Sequence, residues 1–208
     1  MEIRHPEWLQ VNKDTEFLYG YNQCWYSIRT KRASGCGPTS AAMLLLYLNK
    51  RETGPLNYRN DNIASIAEAL EEIWNFVTPG WMGLSSTENF CRGIDAFLLF
   101  HQLEWQCHTL RVPLFKSKRC SLSETVGFLE KGLASDCPIA FLNLHKGKAE
   151  LLETWHWSVV VALEYEKQAD RYIVTCYDGG RRVSFDLNLW LTTSKFGGGF
   201  VFLTTGKK

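Results

Sequence analysis

The strongest constraint in the chain is the run Gly35-Cys36-Gly37-Pro38-Thr39-Ser40, which passes directly into Ala41-Ala42-Met43-Leu44-Leu45-Leu46-Tyr47-Leu48. The eight residues after Ser40 are apolar on every side of a helical wheel, and a helix of that kind has to run through a core. Its mouth carries one cysteine between two glycines. A helix start offers unpaired N–H groups and the positive end of the macrodipole, which favour thiolate over thiol. Glycine on either side leaves room for close approach of another backbone, and Pro38 suits a first turn where its missing N–H costs nothing. Cys36 therefore reads as a nucleophile, and its partners must come from elsewhere in the chain.

Length and charge limit the alternatives. The 208 residues contain no Pro-, Ser- or charge-rich linker and predict one domain over 1–208, mostly helical from 35 to 135 and a sheet from 137 to 205. A net charge of +1 gives no general attraction to nucleic acid or to anionic membrane. No apolar leader opens the sequence and no segment is apolar for long enough to span a bilayer, which predicts a soluble, cytoplasmic protein. Seven scattered cysteines without a Cys-x-x-Cys pair argue against a structural metal, so neither metal nor cofactor is expected. Cys24, Cys91, Cys107, Cys120, Cys137 and Cys176 are read as buried and inert, and Trp25, Trp81, Trp155 and Trp157 as core. Oligomeric state is left open.

Helical periodicity dominates the first two thirds. Residues 1–35 read as an extended approach segment. Asp61 is a cap for an amphipathic helix through Ile63, Ile66, Leu70, Ile73 and Val77, ending at Pro79-Gly80. Ser85 with Glu88, and Ser121 with Glu124, have capping-box spacing for two more helices, the first running to about Leu103. A strand over Cys107–Val112 lies between those two helices. From Cys137 the pattern turns extended: strands are predicted over Pro138–Leu144, Trp155–Tyr165, Arg171–Tyr177, Arg181–Phe185 and Phe200–Leu203. Helices first and an antiparallel sheet second is an α+β arrangement.

A cysteine nucleophile needs an imidazole to hold and return a proton. Of five histidines, His156 alone opens a long apolar strand, between Trp155 and Trp157. With Glu166–Asp170 as a five-residue turn, Tyr165 pairs with Arg171 and Ser158 faces Asp178. His156 shares a face with Ser158, so Asp178 becomes its diagonal neighbour, about 7–8 Å away between Cα atoms and within carboxylate reach. A change of register by one residue would separate them.

The Gly-Cys-Gly-Pro-Thr-Ser run, the histidine opening a Val-rich strand and the aspartate closing the next strand resemble the papain-like cysteine peptidases, and within them the branch of bacteriocin-processing (double-glycine-leader) peptidases. The resemblance implies a nucleophile helix packed on an antiparallel sheet, with Cys36 as nucleophile, His156 as base and Asp178 as the orienting group. It implies an oxyanion-binding glutamine upstream of the cysteine, for which Gln23 is the candidate and Asn22 the alternative. The expected activity is hydrolysis of a peptide or protein amide through a thioester. Acyl transfer on the same residues and a non-catalytic peptide-binding domain are the other two readings.

Overall fold

A computed structural model describes residues 1–13, 16–58 and 62–206. Among the described residues, eight strands and six α-helices follow in chain order. Strands β1 (Gln10–Lys13) and β2 (Glu16–Tyr19) form an antiparallel pair, and helix α1 (Arg29–Ser34) leads into α2 (Cys36–Arg51). Helices α3 (Ile63–Trp74) and α4 (Thr87–Phe100) precede β3 (Trp105–Val112), and α5 (Leu122–Ala134) precedes β4 (Ile139–Asn143). Strands β5 (His156–Glu166), β6 (Arg171–Asp178) and β7 (Arg181–Asp186), helix α6 (Leu187–Thr193) and β8 (Gly198–Thr205) complete the fold. Every pairing in the six-stranded sheet is antiparallel, in the order β3-β8-β4-β5-β6-β7.

Helix α2 is the axis of the molecule. Residues 37–49 are all buried, as a run apolar on every side requires, and the helix lies against β4, β5 and β8 with α3 and α4 beside it. Two of its polar residues are matched inside: the Tyr47 hydroxyl donates to Asp136 Oδ1 at 2.6 Å, and the Asn49 side chain bonds the Leu56 backbone in both directions. On the opposite side of β4, Ile139 packs on Gly132 of α5, while the Phe141 ring meets Trp190 of α6 edge-on at 4.8 Å. Burying such side chains contributes roughly 1.5–3 kcal/mol each and holds the two helical layers to the sheet.

The caps follow from local chemistry. The Ser121–Glu124 box forms as its spacing predicts, with both reciprocal bonds present. The predicted cap Asp61 lies outside the described residues. Asn62 caps α3, with Ser65 completing a box, and that helix ends at Trp74, short of Pro79. Ser86, one residue beyond the predicted Ser85, caps α4 by accepting from Asn89 N–H.

Two regions depart from the sequence reading. Residues 1–35 are not one extended segment: they hold the β1–β2 pair, short 3-10 turns at Pro6–Leu9 and Gln23–Trp25, and α1. Helix α6 occupies a stretch to which the sequence reading assigns no element. Asp186 caps it through Leu189 N–H, and Leu187, Trp190 and Leu191 at steps of three and four form its buried side. The turn residues that bracket it are a stronger local signal than seven residues of periodicity.

Candidate active site

Cys36 is the first residue of α2, half-buried, and no side chain caps the helix start. Its glycine neighbours are explained by what lies against them. A Cβ on Gly35 would sit 2.6 Å from both the Tyr26 ring and the Lys31 carbonyl, and one on Gly37 would sit 2.7 Å from a Leu84 methyl. The approaching groups are thus mostly side chains rather than the passing backbone that the sequence suggests. They wedge the cysteine between the N-terminal segment and the turn before α4.

The imidazole and the carboxylate come from the sheet. His156 Nε2 lies 2.6 Å from Asp178 Oδ1, with the carboxylate side chain 6% exposed and the imidazole 18% exposed. The register that joins them arises differently from the sequence count. The turn is one residue shorter than predicted, because Glu166 pairs with Arg171 and Tyr165 with Tyr172. An irregularity between Val160 and Ala162 then adds one residue to β5, and beyond it Val160 pairs with Cys176 and Val159 with Tyr177. Carried one step on, that register sets Ser158 opposite Asp178, as counted. The bulge compensates for the shorter turn.

Behind the histidine stands a brace that no sequence motif announces. Trp190 Nε1 donates to Asn143 Oδ1 at 2.9 Å, and Asn143 Nδ2 donates to the Glu153 carbonyl at 2.6 Å. Asn143 is the β4 partner of His156, so α6 and the end of β4 together fix the loop that delivers the ring. Trp155, immediately before it, has φ of 57°, a left-handed conformation that costs a non-glycine residue about 1–2 kcal/mol and needs such support. The asparagine ending a strand and the Leu-Trp-Leu spacing of α6 are the signals from which this brace could have been read.

Cys36, His156, Asp178, Asn22 and Gln23 border one cavity of about 340 Å³. Burial alone would lower the pKa of His156. The hydrogen bond to Asp178 and the interaction with Cys36 outweigh it, and the ring is raised from 6.5 to about 10. Arg181, paired with Glu153 at 2.6 Å, stands 3.8 Å from the other carboxylate oxygen of Asp178. The two amide candidates are already engaged: Gln23 Nε2 donates to the Arg32 carbonyl and Asn22 Nδ2 to the Gly179 carbonyl, both at 2.7 Å. Each keeps one further N–H. Among the described residues no group of three or more His, Cys, Asp or Glu side chains could hold a metal ion, and no helix is long and apolar enough to cross a membrane.

Several other expectations need correction. Trp157 is core, stacked on Phe90 at 4.4 Å, but Trp81 is 97% exposed, Trp155 is 50% exposed and Trp25 is half-buried. Trp81 occupies a two-residue turn that offers it nothing to pack on. Of the cysteines read as buried, Cys137 and Cys176 are; Cys24 is exposed, and Cys91, Cys107 and Cys120 are half-buried.

No protein-family model and no curated protein sequence matches the chain. Seven solved chains match in structure. One is the crystal structure of UfSP from C. elegans, similar with a TM-score of 0.55 and 10% sequence identity over 96% of this chain and 34% of that one. The chain therefore spans about a third of the length of UfSP. At that identity the likeness is one of fold, and the fold is papain-like α+β.

Proposed function

We propose that this chain is a cysteine peptidase that cleaves an amide of a peptide or protein substrate through a thioester on Cys36. One observation carries the reading: a half-buried cysteine at the mouth of a core helix shares a cleft and an electrostatic environment with an imidazole hydrogen-bonded to a buried carboxylate. The papain-like fold supports it.

In this reading the Cys36 sulfur attacks the carbonyl carbon as a thiolate, paired with His156 as imidazolium. The oxyanion is held by the Cys36 backbone N–H and by the N–H that Gln23 has left after bonding Arg32, with Asn22 second in line because its amide joins the two lips of the cleft. The C–N bond breaks as the imidazolium gives its proton to the leaving nitrogen. Water, deprotonated by the now neutral ring, releases the acid and restores the thiolate. Asp178 holds the ring with Nε2 bound and leaves Nδ1 to face the sulfur.

The likeness to bacteriocin-processing peptidases rests on the Gly35–Ser40 run and the positions of His156 and Asp178. It makes a leader-type peptide a reasonable first substrate. The test is mass spectrometry of the protein after exposure to peptidyl electrophiles and to iodoacetamide at mildly acid pH. A single adduct on Cys36, lost in Cys36→Ala, is expected. Equal labelling of wild type and variant overturns the reading.

A further inference from the structure

The charges of the catalytic cavity are matched inside it: His156 pairs with Asp178, and Arg181 with Glu153. A second group of cations is not matched. Residues 113–120, 144–150 and 194–197 are three connections that meet at the end of α6. Lys116 Nζ donates to the Thr192 carbonyl at 2.7 Å, and the Arg119 guanidinium to the Leu191 carbonyl at 2.6 Å. Lys148 N–H donates to Thr193 Oγ1 at 2.9 Å, and Lys195 N–H to His145 Nδ1 at 3.3 Å. Gly147, with φ of 59°, lies where an added Cβ would collide with the Thr193 hydroxyl, so the loop after β4 rests directly on the helix end. These bonds gather Lys116, Lys118, Arg119, Lys146, Lys148 and Lys195 around one point. Among the described residues none of the six is paired with a carboxylate. The neighbouring acids are engaged elsewhere: Glu124 accepts from the Ser121 N–H and hydroxyl, and Asp186 from Leu189 N–H.

We infer that this surface docks an acidic segment of the peptide or protein substrate, a run of Asp or Glu side chains with apolar residues among them, away from the scissile bond. Its role in cleavage rests on Cys36 being the nucleophile. Lys116 and Arg119 end on carbonyls and act as fasteners. The ammonium groups of Lys118, Lys148 and Lys195 are exposed and make no hydrogen bond or ion pair among the described residues, so they are the ones left for carboxylates. Like charges held together repel, and an anion arriving among them relieves that repulsion. Aromatic faces stand beside the cations, as they do in protein interfaces: Phe115 is 65% exposed and Phe196 43%. Phe196 meets His145 edge-on at 5.6 Å and Trp155 at 6.2 Å, and Trp155 borders a cavity that Cys36 also borders. The surface thus continues from the nucleophile to the end of α6. With a net charge of +1 on the chain and a screening length of about 8 Å, the attraction is local. That suits a short peptide segment, whereas a polynucleotide needs a positive groove that follows its backbone.

The experiment uses the full chain and two fluorescein-labelled peptides of equal length, one with several Glu residues among Leu and Ser, the other with Gln in place of each Glu. Fluorescence anisotropy reads their binding at low and at high salt. We expect the Glu peptide to bind about tenfold more tightly at low salt and about twofold at high salt. The Lys118→Glu/Lys148→Glu/Lys195→Glu variant, which changes three exposed side chains, is expected to lose the difference. A vinyl sulfone at the end of the Glu peptide should label Cys36 about tenfold faster than one at the end of the Gln peptide. Equal binding of the two peptides, equal labelling rates, or a preference that the variant keeps overturns the inference. So does equally tight binding of a single-stranded oligodeoxynucleotide or of phosphatidylserine vesicles, which would make the surface a general polyanion site. Anisotropy reads docking without Cys36 chemistry, so failure of iodoacetamide to label Cys36 overturns the nucleophile reading while a salt-sensitive Glu preference still supports the docking surface.

Discussion

At the scale of single residues, the site is a matter of one proton and two close contacts. His156 has a pKa of about 10 because Asp178 and Cys36 favour its charged form against the cost of burial. The raised value contributes stability that is complete below about 6.5, where the unfolded ring is also protonated, and that is lost as pH rises through about 10. Amide cleavage, which needs the imidazolium to protonate the leaving nitrogen, should fall over the same alkaline range. Asp178→Asn removes the carboxylate charge, and the alkaline limb of a pH profile of peptide hydrolysis is expected to move down by at least about one unit. An unmoved limb would separate Asp178 from the titration. Gly35→Ala puts a methyl 2.6 Å from the Tyr26 ring and the Lys31 carbonyl, and is expected to cost about 1–3 kcal/mol in chemical denaturation. The sequence makes these three polar residues visible because each has a special position: a helix mouth, a strand start, a strand end. Asn143 also ends a strand and Trp190 sits in a Leu-Trp-Leu spacing, but neither signal names the other residue, since a brace is defined by which strands and helices meet, and that is set by packing.

At the scale of elements, legibility follows length and periodicity. Helix α2 and strands β5 and β6 are long and strongly patterned, β4 is a continuous apolar run, and the placement of all four agrees with the reading to within a residue or two. The short pieces, β1, β2, α1 and α6, have too few residues for a period to stand out. The β5–β6 hairpin reaches the counted register by another route: its turn is one residue shorter than the count, and the bulge at Val161 offsets the difference. Deleting Val161 should close the bulge while Ala162 stays opposite Thr175 and Val160 opposite Cys176, so that His156 keeps its place diagonal to Asp178. The expected result is a folded protein by circular dichroism that still labels at Cys36; loss of labelling would show that the bulge itself positions the ring. Another element-level expectation concerns α4 and β3. Cys91 and Cys107 join them with sulfurs 2.7 Å apart, Cys107 donating. Two thiols with one hydrogen peroxide should give a disulfide and two waters, read as a loss of two hydrogens in the intact mass and one cross-linked peptide. Two alkylatable thiols after oxidation would contradict it.

At the scale of the whole molecule, the cleft has two lips from distant parts of the chain. One is the N-terminal segment with Asn22 and Gln23; the other is the end of β6 with Gly179. Asn22 fastens them, donating to the Gly179 carbonyl while accepting from Cys24 N–H at 2.8 Å. Asn22→Ala should destabilise the fold by about 1–2 kcal/mol in thermal unfolding and raise the substrate concentration needed for half-maximal rate. Ordinary stability with unchanged saturation would show the lips to be held by other contacts. Strands β5 and β6 lie inside the sheet, each with a hydrogen-bonded neighbour on both sides, whereas β3 is a free margin three ladders from β5. In deuterated water, the amides of β3 should therefore exchange early and those around His156 and Asp178 among the last. Thermal breathing can peel away the far border of this protein, and the imidazole and carboxylate will still be in register when it closes again.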